Sequence, residues 1–235
     1  MVFLSFVGRT WADGPNDYLH SRTYIGILGT SVSVGNQGEF TGLNYSRVDT
    51  PSYEITLIPS LAQNFGYGVL VGHREESYAL ELSYWESQHI ATFGQGTIKS
   101  NDGSALIGGS YQETAVYRSV NVDFKKYFLT NIELQPFLDL GVSFPWIDIP
   151  YADTDGQGRF YQATLAGLGF DLGIGVEYYL SPTLSLVGGA YQRWASFDEF
   201  KGFNTQFAQL MQYGNPTSDE GSGLIFSVGT TLGFE

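Results

Sequence analysis

The chain has 235 residues, of which 43% are hydrophobic and only 15% charged, and its formal net charge is −13. Its 11 lysines and arginines are too few for a basic patch, which argues against nucleic acid as a partner. The absence of cysteine excludes disulfides and cysteine-ligated metal sites. The sequence also contains no run of about 18 apolar residues, so it predicts no membrane-spanning helix.

Eight segments along the chain alternate apolar and polar residues, a period of two that is typical of β-strands. They are Thr23–Val34, Phe65–Arg74, Tyr78–Phe93, Gln112–Phe128, Ile132–Ile147, Gln162–Leu180, Leu184–Phe197 and Gly223–Phe234. Three connections are short, namely Arg74–Ser77, Leu129–Asn131 and Ser181–Thr183. The others are long, namely Gly35–Asn64, Gly94–Tyr111, Ile149–Tyr161 and Asp198–Ser222. This alternation predicts an up-and-down meander with every long loop at one end and every short turn at the other.

The stretch "ATLAGLGFDLGIGVEYYL", Ala163–Leu180, shows the two faces of these strands most clearly. One face is apolar without interruption from Leu168 to Leu180, and the other carries glycines together with Asp171 and Glu177. A soluble barrel or sandwich would bury the apolar face, whereas a membrane barrel turns it outward to the lipid. The membrane interpretation is favoured because charges on the apolar faces occur only near strand ends, at Glu86, Arg118, Lys126 and Asp148.

The apolar faces also carry aromatic residues at both ends, as expected for girdles at the two membrane surfaces. The girdle residues at the short-turn end are Tyr78, Phe128, Tyr178 and Phe234, and those towards the long-loop end are Tyr84, Phe144, Trp146 and Trp194. The clean span Leu134–Phe144 has about the 9–11 residues that a tilted strand needs to cross the hydrocarbon. We therefore predict an all-β fold, a closed antiparallel up-and-down transmembrane β-barrel of eight strands. Ten strands are the alternative, because Tyr53–Ala62 could form an extra strand or extend the second one above the membrane.

The second face of each strand then lines the barrel interior, where we predict a network of polar and charged side chains. Its members are Arg74, Glu81, Asp123, Lys125, Glu133, Asp139, Asp171, Glu177 and Arg193. Eight strands leave room only for side chains, so glycines on this face make space for larger groups such as Tyr179, Tyr191 and Arg193. These glycines are Gly66, Gly68, Gly72, Gly167, Gly169, Gly173 and Gly175. Because acids outnumber bases, we expect Asp139 or Asp171 to be protonated or bridged by water or a cation.

The last strand, "GLIFSVGTTLGFE", combines alternating apolar residues with Gly229 and a near-terminal Phe234. In this motif and in the whole-chain pattern, residues 22–235 resemble the small outer-membrane β-barrels of Gram-negative bacteria, the OmpA/OmpX-like group. The resemblance implies a bacterial outer-membrane location and recognition by the outer-membrane assembly machinery through the C-terminal strand. Glu235 departs from the family, whose members usually end on the aromatic residue. Met1–Ser21 is expected to be a separate N-terminal segment, periplasmic or a partial plug, with any export signal already removed.

The functional prediction is a non-enzymatic barrel in the lipid bilayer, with long external loops for surface interaction or envelope integrity. A polar network that plugs the interior is favoured over a narrow pore for small polar or amphiphilic solutes. The acidic loops would also allow loose bridging to lipopolysaccharide phosphates through divalent cations. A lipid-modifying or omptin-like enzyme is less favoured: His89 with Ser87, or His20 with Ser21, would supply a Ser–His pair, but no signature of those enzymes is visible. We predict no catalytic residue, cofactor or metal site.

Two stretches within the long loops have patterns of their own. "ADTDGQG", Ala152–Gly158, resembles part of a calcium loop but lacks the later ligands, so a plain Asp–Gly turn is favoured. Phe203–Gly214 has apolar residues at helical spacing, which predicts a short amphipathic helix that caps the barrel mouth or lies on the membrane.

Overall fold

The computed structural model describes thirteen β-strands. The described residues are 21–34, 44–46, 54–56, 60–93, 97–99, 105–107, 111–152, 160–201 and 221–234. The strands are β1 (Arg22–Val32), β2 (Asn44–Ser46), β3 (Glu54–Thr56), β4 (Ser60–Leu61), β5 (Asn64–Glu75), β6 (Tyr78–Phe93), β7 (Thr97–Lys99), β8 (Ala105–Ile107), β9 (Tyr111–Tyr127), β10 (Leu134–Ala152), β11 (Phe160–Tyr179), β12 (Leu184–Lys201) and β13 (Gly223–Phe234). Within these ranges no helix is long and apolar enough to cross a membrane.

Eight of these strands close into one antiparallel barrel, in the order β1, β5, β6, β9, β10, β11, β12 and β13. Each strand pairs with the next along the chain, and β13 returns to pair with β1, for example with Thr230 opposite Ile27. Closure leaves no barrel strand without a partner on either side, which removes the exposed edges that an open sheet would have. The predicted closed, up-and-down barrel of eight strands is confirmed.

The ten-strand alternative is wrong, and the structure shows what Tyr53–Ala62 forms instead. Its residues supply β3 and β4. β3 pairs only with β2, in a separate two-stranded sheet, and β4 adds two residues to the upper part of β6. The short strands β7 and β8 form another separate pair. The long connections therefore contain small local sheets, and the barrel wall keeps eight strands.

The predicted strand limits hold closely, with the differences at the strand ends. β6 and β13 have the predicted bounds, whereas β10 and β12 continue to Ala152 and Lys201 at the long-loop end. Backbone pairing persists there beyond the apolar part of the strands, since Ile149 of β10 still pairs with Ala163 of β11. At the other end β10 begins at Leu134, two residues later than the predicted strand.

The barrel is inverted relative to a soluble protein, because its outward face is apolar and its inward face contains the charges. Large apolar side chains on the outside are between 37% and 79% exposed. We call the outward apolar surface of the eight strands the apolar belt; it includes Ile25, Ile27, Val69, Val71, Leu80, Leu82, Val122, Phe124, Leu138, Leu140, Val142, Phe170, Leu172, Ile174, Val176, Leu186, Phe226, Val228 and Leu232. An apolar surface of this extent, continuous around a closed barrel, is a lipid-facing surface.

Some predictions concern residues outside the described ranges. The amphipathic helix of Phe203–Gly214 lies wholly outside them, as does all of Met1–Ser21 except Ser21 and all of Ala152–Gly158 except Ala152. These remain predictions.

Candidate functional site: the barrel interior

Two arginines and a glutamate fill the interior at the short-turn end, where the chain termini of the barrel also lie. Arg22 donates from Nη2 to Glu177 Oε1 at 2.8 Å and to the Tyr179 hydroxyl at 2.6 Å. Arg74 donates to the same hydroxyl at 2.5 Å and to Gln135 Oε1 at 2.5 Å, and its Nη1 lies 3.5 Å from Glu177 Oε2. One carboxylate thus holds two guanidinium groups from adjacent strands, and a tyrosine bridges them.

Aromatic rings complete the packing around these arginines. The guanidinium carbon of Arg74 lies 3.9 Å from the ring centre of Tyr127, and that of Arg22 lies 4.5 Å from the ring centre of Tyr179. Both distances are within the range of cation–π attraction. Positive charge at this end is therefore balanced by one carboxylate and two aromatic faces, all from the same chain.

The middle of the interior is organised around Lys125 of β9. Its Nζ donates to Glu81 Oε2 at 2.6 Å, and Tyr24 donates its hydroxyl to the other oxygen of Glu81 at 2.6 Å. The Lys125 ammonium also lies 4.7 Å from the ring centre of Phe137. Each of the three polar groups has a partner, as buried charges require.

Arg193 of β12 crosses the interior above this level. It makes a two-pronged pair with Asp171, from Nε to Oδ1 at 2.8 Å and from Nη2 to Oδ2 at 2.6 Å. Its remaining donors reach β9, where Nη1 meets the Tyr117 hydroxyl at 2.5 Å and Nη2 meets Asn121 Oδ1 at 2.6 Å. The guanidinium thus links the wall at β11 and β12 to the opposite wall at β9, and it lies 5.3 Å from the ring centre of Trp85 on β6.

Above Arg193 the interior becomes apolar. Among the side chains that the structure describes at the long-loop end, those that point inward are buried; most are apolar, namely Val32, Leu61, Ala115, Ile147, Leu165 and Ile225, and they lie together with Ser87 and His89. On β10 and β11 this apolar layer lies next to outward residues that are polar, Asp148 and Thr164, whereas on β13 the outward neighbours of Ile225 still belong to the apolar surface. It forms a small hydrophobic core of the kind found in soluble domains, and it covers the charged groups beneath it.

Several interior glycines stand where aromatic rings need the space, whereas Gly66, Gly167 and Gly169 lie against backbone or serine atoms of neighbouring strands. A Cβ on Gly72 would lie 2.5 Å from a ring carbon of Tyr24, and one on Gly68 would lie 2.6 Å from a ring carbon of Trp85. A Cβ on Gly173 would overlap the ring of Tyr191. Gly68, Gly72 and Gly173 are thus each paired with an aromatic ring, so the packing of the interior there depends on both the glycine and the ring.

The same architecture occurs in proteins of known structure whose sequences differ widely from this one. Neisserial surface protein A (NspA) is 14% identical, with a TM-score of 0.50, over 92% of this chain and 99% of that protein. OprG from Pseudomonas aeruginosa is 13% identical, also with a TM-score of 0.50, over 95% of this chain and 100% of that protein. No protein-family model matches the chain, and no curated protein sequence does.

The chain has the fold of a small outer-membrane β-barrel. A closed barrel of this fold with an outward apolar belt belongs in the bacterial outer membrane, where the strands cross the hydrocarbon and the long loops face outward. The short-turn end, with its network of Arg22, Arg74 and Glu177, is then the periplasmic end of the outer-membrane barrel. The apolar layer lies at the external end.

The structure places eight of the nine predicted network residues in the interior of the outer-membrane barrel, the exception being Glu133. This residue is exposed in the turn between β9 and β10, because β10 begins only at Leu134. The interior contains further polar and aromatic residues that the prediction did not include: Arg22, Tyr24, Trp85, Tyr117, Asn121, Tyr127 and Gln135. Arg22 has the same parity as Tyr24 and Leu28, so extending the period-two pattern by one residue would have identified it.

The predicted girdle residues all lie on the outer surface. Tyr78, Phe128, Phe144, Tyr178, Trp194 and Phe234 are exposed, and Tyr84 and Trp146 are half-buried. The charges on this surface are engaged in contacts. Glu86 accepts from Arg118 Nε at 2.9 Å, and Asp148 accepts from the other side of the same guanidinium. Near the periplasmic end the Lys126 ammonium lies 3.6 Å from the ring centre of Tyr78. These contacts fit the borders of a lipid-facing zone, where charges are tolerated.

The two described histidines differ in accessibility. His89 donates from Nδ1 to the Ala62 carbonyl at 2.8 Å, and its Nε2 lies 2.7 Å from Ser87 Oγ, but both His89 and Ser87 are buried. His73 is exposed on the outer surface at the periplasmic end, near Thr23 and Glu75. Within the described ranges no three His, Asp or Glu side chains are grouped closely enough to hold a metal ion.

Proposed function

We propose that this outer-membrane barrel is a non-enzymatic anchor that presents its long external loops for surface interaction or envelope integrity. The observation that carries the proposal is the filling of the interior. Charged networks occupy the periplasmic end and the middle, and an apolar layer occupies the external end. A barrel filled in this way supports loops and does not offer a path to polar solutes.

The side chains that occupy the barrel interior favour a plug over a pore. Arg193 spans from β11 and β12 to β9, and the rings of Trp85 and Tyr191 meet in the middle with their centres 5.8 Å apart. These contacts cross the axis of the barrel. A polar solute would have to break several buried charge-assisted hydrogen bonds and then pass the apolar layer, and each of these steps is costly.

Catalysis receives little support from the Ser–His pair at Ser87 and His89. A nucleophile must reach its substrate, and both side chains are almost completely buried behind β4 and the apolar layer. Ser87 therefore acts as a hydrogen-bond partner that helps to fix His89 and, through the Ala62 carbonyl, the segment that follows β4. This role is structural.

The partners that we propose follow from the surfaces of the barrel. The apolar belt contacts the lipid bilayer, and acidic residues of the external loops bridge through divalent cations to lipopolysaccharide phosphates. The alternating outward side chains of β13, which end at Leu232 and Phe234, serve recognition by the outer-membrane assembly machinery. The pairing of β13 with both β1 and β12 makes it the strand that closes the barrel.

Conductance across a planar lipid bilayer tests the plug directly. Purified wild-type protein should insert and show no steady current. As a matched variant we suggest the double substitution Trp85→Gly with Tyr191→Gly, which removes the two rings that meet on the axis and should raise the conductance. Insertion of both proteins is verified by heat-dependent migration on SDS gels. A steady open current from the wild type would refute the plug and support the narrow pore.

A further inference from the structure

Among the side chains that the structure describes, the barrel interior contains one more carboxyl group than it has cations. The carboxyl groups belong to Glu81, Asp123, Asp139, Asp171 and Glu177, and the cations to Arg22, Arg74, Lys125 and Arg193. Every one of these cations already has an ion-pair partner. Arg22 and Arg74 share Glu177, Lys125 pairs with Glu81, and Arg193 pairs with Asp171. Two carboxyl groups, those of Asp123 and Asp139, remain without a cation.

Asp139 is the less satisfied of the two. Its side chain is only 1% exposed, and neither carboxyl oxygen has a hydrogen-bond partner among the described residues. Asp123 is also buried, but Ser83 Oγ lies 3.5 Å from its Oδ2. An ionised carboxylate with no partner at the depth of Asp139 would be strongly unfavourable. Asp171, the other acid considered from the sequence, is held on both oxygens by Arg193 and does not share this problem.

The neighbours of Asp139 raise the cost of a negative charge there. Across the β9–β10 pairing Asp139 lies opposite Lys125, while Asp123 lies opposite the next inward residue of β10, Gly141. The charged and titratable groups that act on Asp139 from the strands around it are Lys125 and Asp123 on β9, Glu81 on β6, Asp171 on β11 and Tyr191 on β12. Three of them are carboxyl groups, and the one ammonium is bound to Glu81.

We propose that Asp139 binds a proton in the native barrel, so that the nine described charged groups of the interior together carry no net charge. The structure favours a proton over a metal ion for two reasons. A metal ion at Asp139 would lie beside the ammonium of Lys125, which repels it, whereas a proton removes the negative charge without adding a positive one. The described interior also lacks a third acidic or histidine ligand close enough to complete a metal site.

A measurable consequence is that folding takes up one proton. Aspartate is ionised in the unfolded chain above about pH 4, so a native state that keeps this proton becomes less stable as the pH rises. The unfolding equilibrium constant should increase about tenfold per pH unit because of this one site, until the native barrel itself releases the proton. The variant Asp139→Asn has the shape of the protonated side chain and no proton to lose, so this contribution should be absent from its pH profile.

Infrared spectroscopy of the folded protein in vesicles at neutral pH reports the proton independently of stability. The wild type should show the carbonyl stretch of a protonated carboxyl group, shifted in deuterated buffer. Asp139→Asn should remove this band, and Asp123→Asn, the matched control, should retain it. Loss of the band in Asp123→Asn together with its retention in Asp139→Asn would move the proton to Asp123 and overturn the assignment. Absence of the band from the wild type would overturn the proposal even if neither variant folds.

A titration with salts separates the proton from a metal ion. Wild-type stability should respond equally to sodium, potassium and choline chloride at the same ionic strength. A stabilisation by sodium or potassium that choline does not reproduce, and that disappears in Asp139→Asn, would show a bound metal ion and refute the proton.

Discussion

Placing an arginine at the middle of the apolar belt tests the sidedness of the barrel most directly. Val122 on β9 lies midway between the two charged residues of that strand's outward face, with Lys126 four residues below and Arg118 four residues above. Eight residues span about 26 Å along a strand, and a tilt of about 40° reduces this to a height of about 20 Å. Val122 is then about 10 Å from either border, and its side chain is exposed on the outside.

We expect Val122→Arg to destabilise the barrel in phospholipid vesicles by about 2–4 kcal/mol, the penalty for a basic residue near the bilayer midplane. The matched control is Val116→Arg on the outward face of the same strand, two residues beyond Arg118 on the external side. Near the interface the penalty should fall to about 0–1 kcal/mol. Reversible unfolding of both variants in urea or guanidinium, followed by tryptophan fluorescence, measures the difference.

The contrast between the two positions is what the reasoning requires. If Val122→Arg proved no more costly than Val116→Arg, the outward face at Val122 would not lie in hydrocarbon. If Val122→Arg left a protein that is folded and monomeric in buffer without detergent, the belt would be a water-exposed surface. Either result would refute the membrane orientation of the strands.

Two further pairs of variants test the interior. Gly173→Ala should destabilise the barrel by about 1–3 kcal/mol, because the new Cβ overlaps the ring of Tyr191. The matched control is Gly188→Ala, whose Cβ finds no atom closer than 3.6 Å and whose stability should stay within about 0.5 kcal/mol of the wild type. Equal effects of the two variants in the same unfolding assay would contradict the packing. Glu177→Gln should lower the stability of the barrel by about 3–5 kcal/mol, because it leaves two buried guanidinium groups without their carboxylate. The control Glu133→Gln, in the exposed turn, should change the stability by less than about 0.5 kcal/mol. A large effect of Glu133→Gln would place that residue in the interior network.

The sequence was sufficient to predict the architecture because a strand of period two has only two faces. Once one face is assigned to lipid, every residue of the other parity is assigned to the interior. This is why Arg74, Asp171 and Arg193 were located from the pattern of single strands. The same reasoning fails at strand ends, because no further alternating residues show whether the terminal residue still belongs to the strand. The pattern assigns Glu133 to the interior, but the strand begins only at the next residue, Leu134. It omits Arg22, because the predicted strand begins at Thr23 whereas β1 begins at Arg22 itself.

The contacts inside the barrel depend on information that no single strand contains. Arg193 meets Asn121 and Tyr117, which are 72 and 76 residues away in the sequence, because the stagger of the strands brings β12 and β9 to the same height on opposite walls. Parity says that all three side chains point inward, but it does not say which of them share a level. The absence of a cation for Asp139 follows in the same way from how the three arginines and one lysine are distributed among the other acids.

The apolar layer at the external end has a comparable origin. The alternation in β10 and β11 continues beyond the apolar belt, so inward positions such as Ile147 and Leu165 are apolar while their outward neighbours become polar, as at Asp148 and Thr164. This is the pattern of a soluble sheet, in which the core is apolar and the surface is wet. Within the membrane the apolar face of these strands points outward to lipid, and above the membrane the apolar face points inward to the barrel interior. The level of this change is marked on the outside by the Glu86, Arg118 and Asp148 contacts.

This change of polarity bears on where function can reside. Below it, the cations of the interior are bound by carboxylates, hydroxyls and rings of the same chain, so they present no charge to a passing solute. Above it, the side chains of the apolar layer pack between the strands from which the external connections emerge. Under the function proposed above, interaction with the surroundings falls to those connections, and the interior contributes by holding the strand ends at fixed separations. Substitutions in the interior should accordingly act on stability, and substitutions in the external connections on recognition.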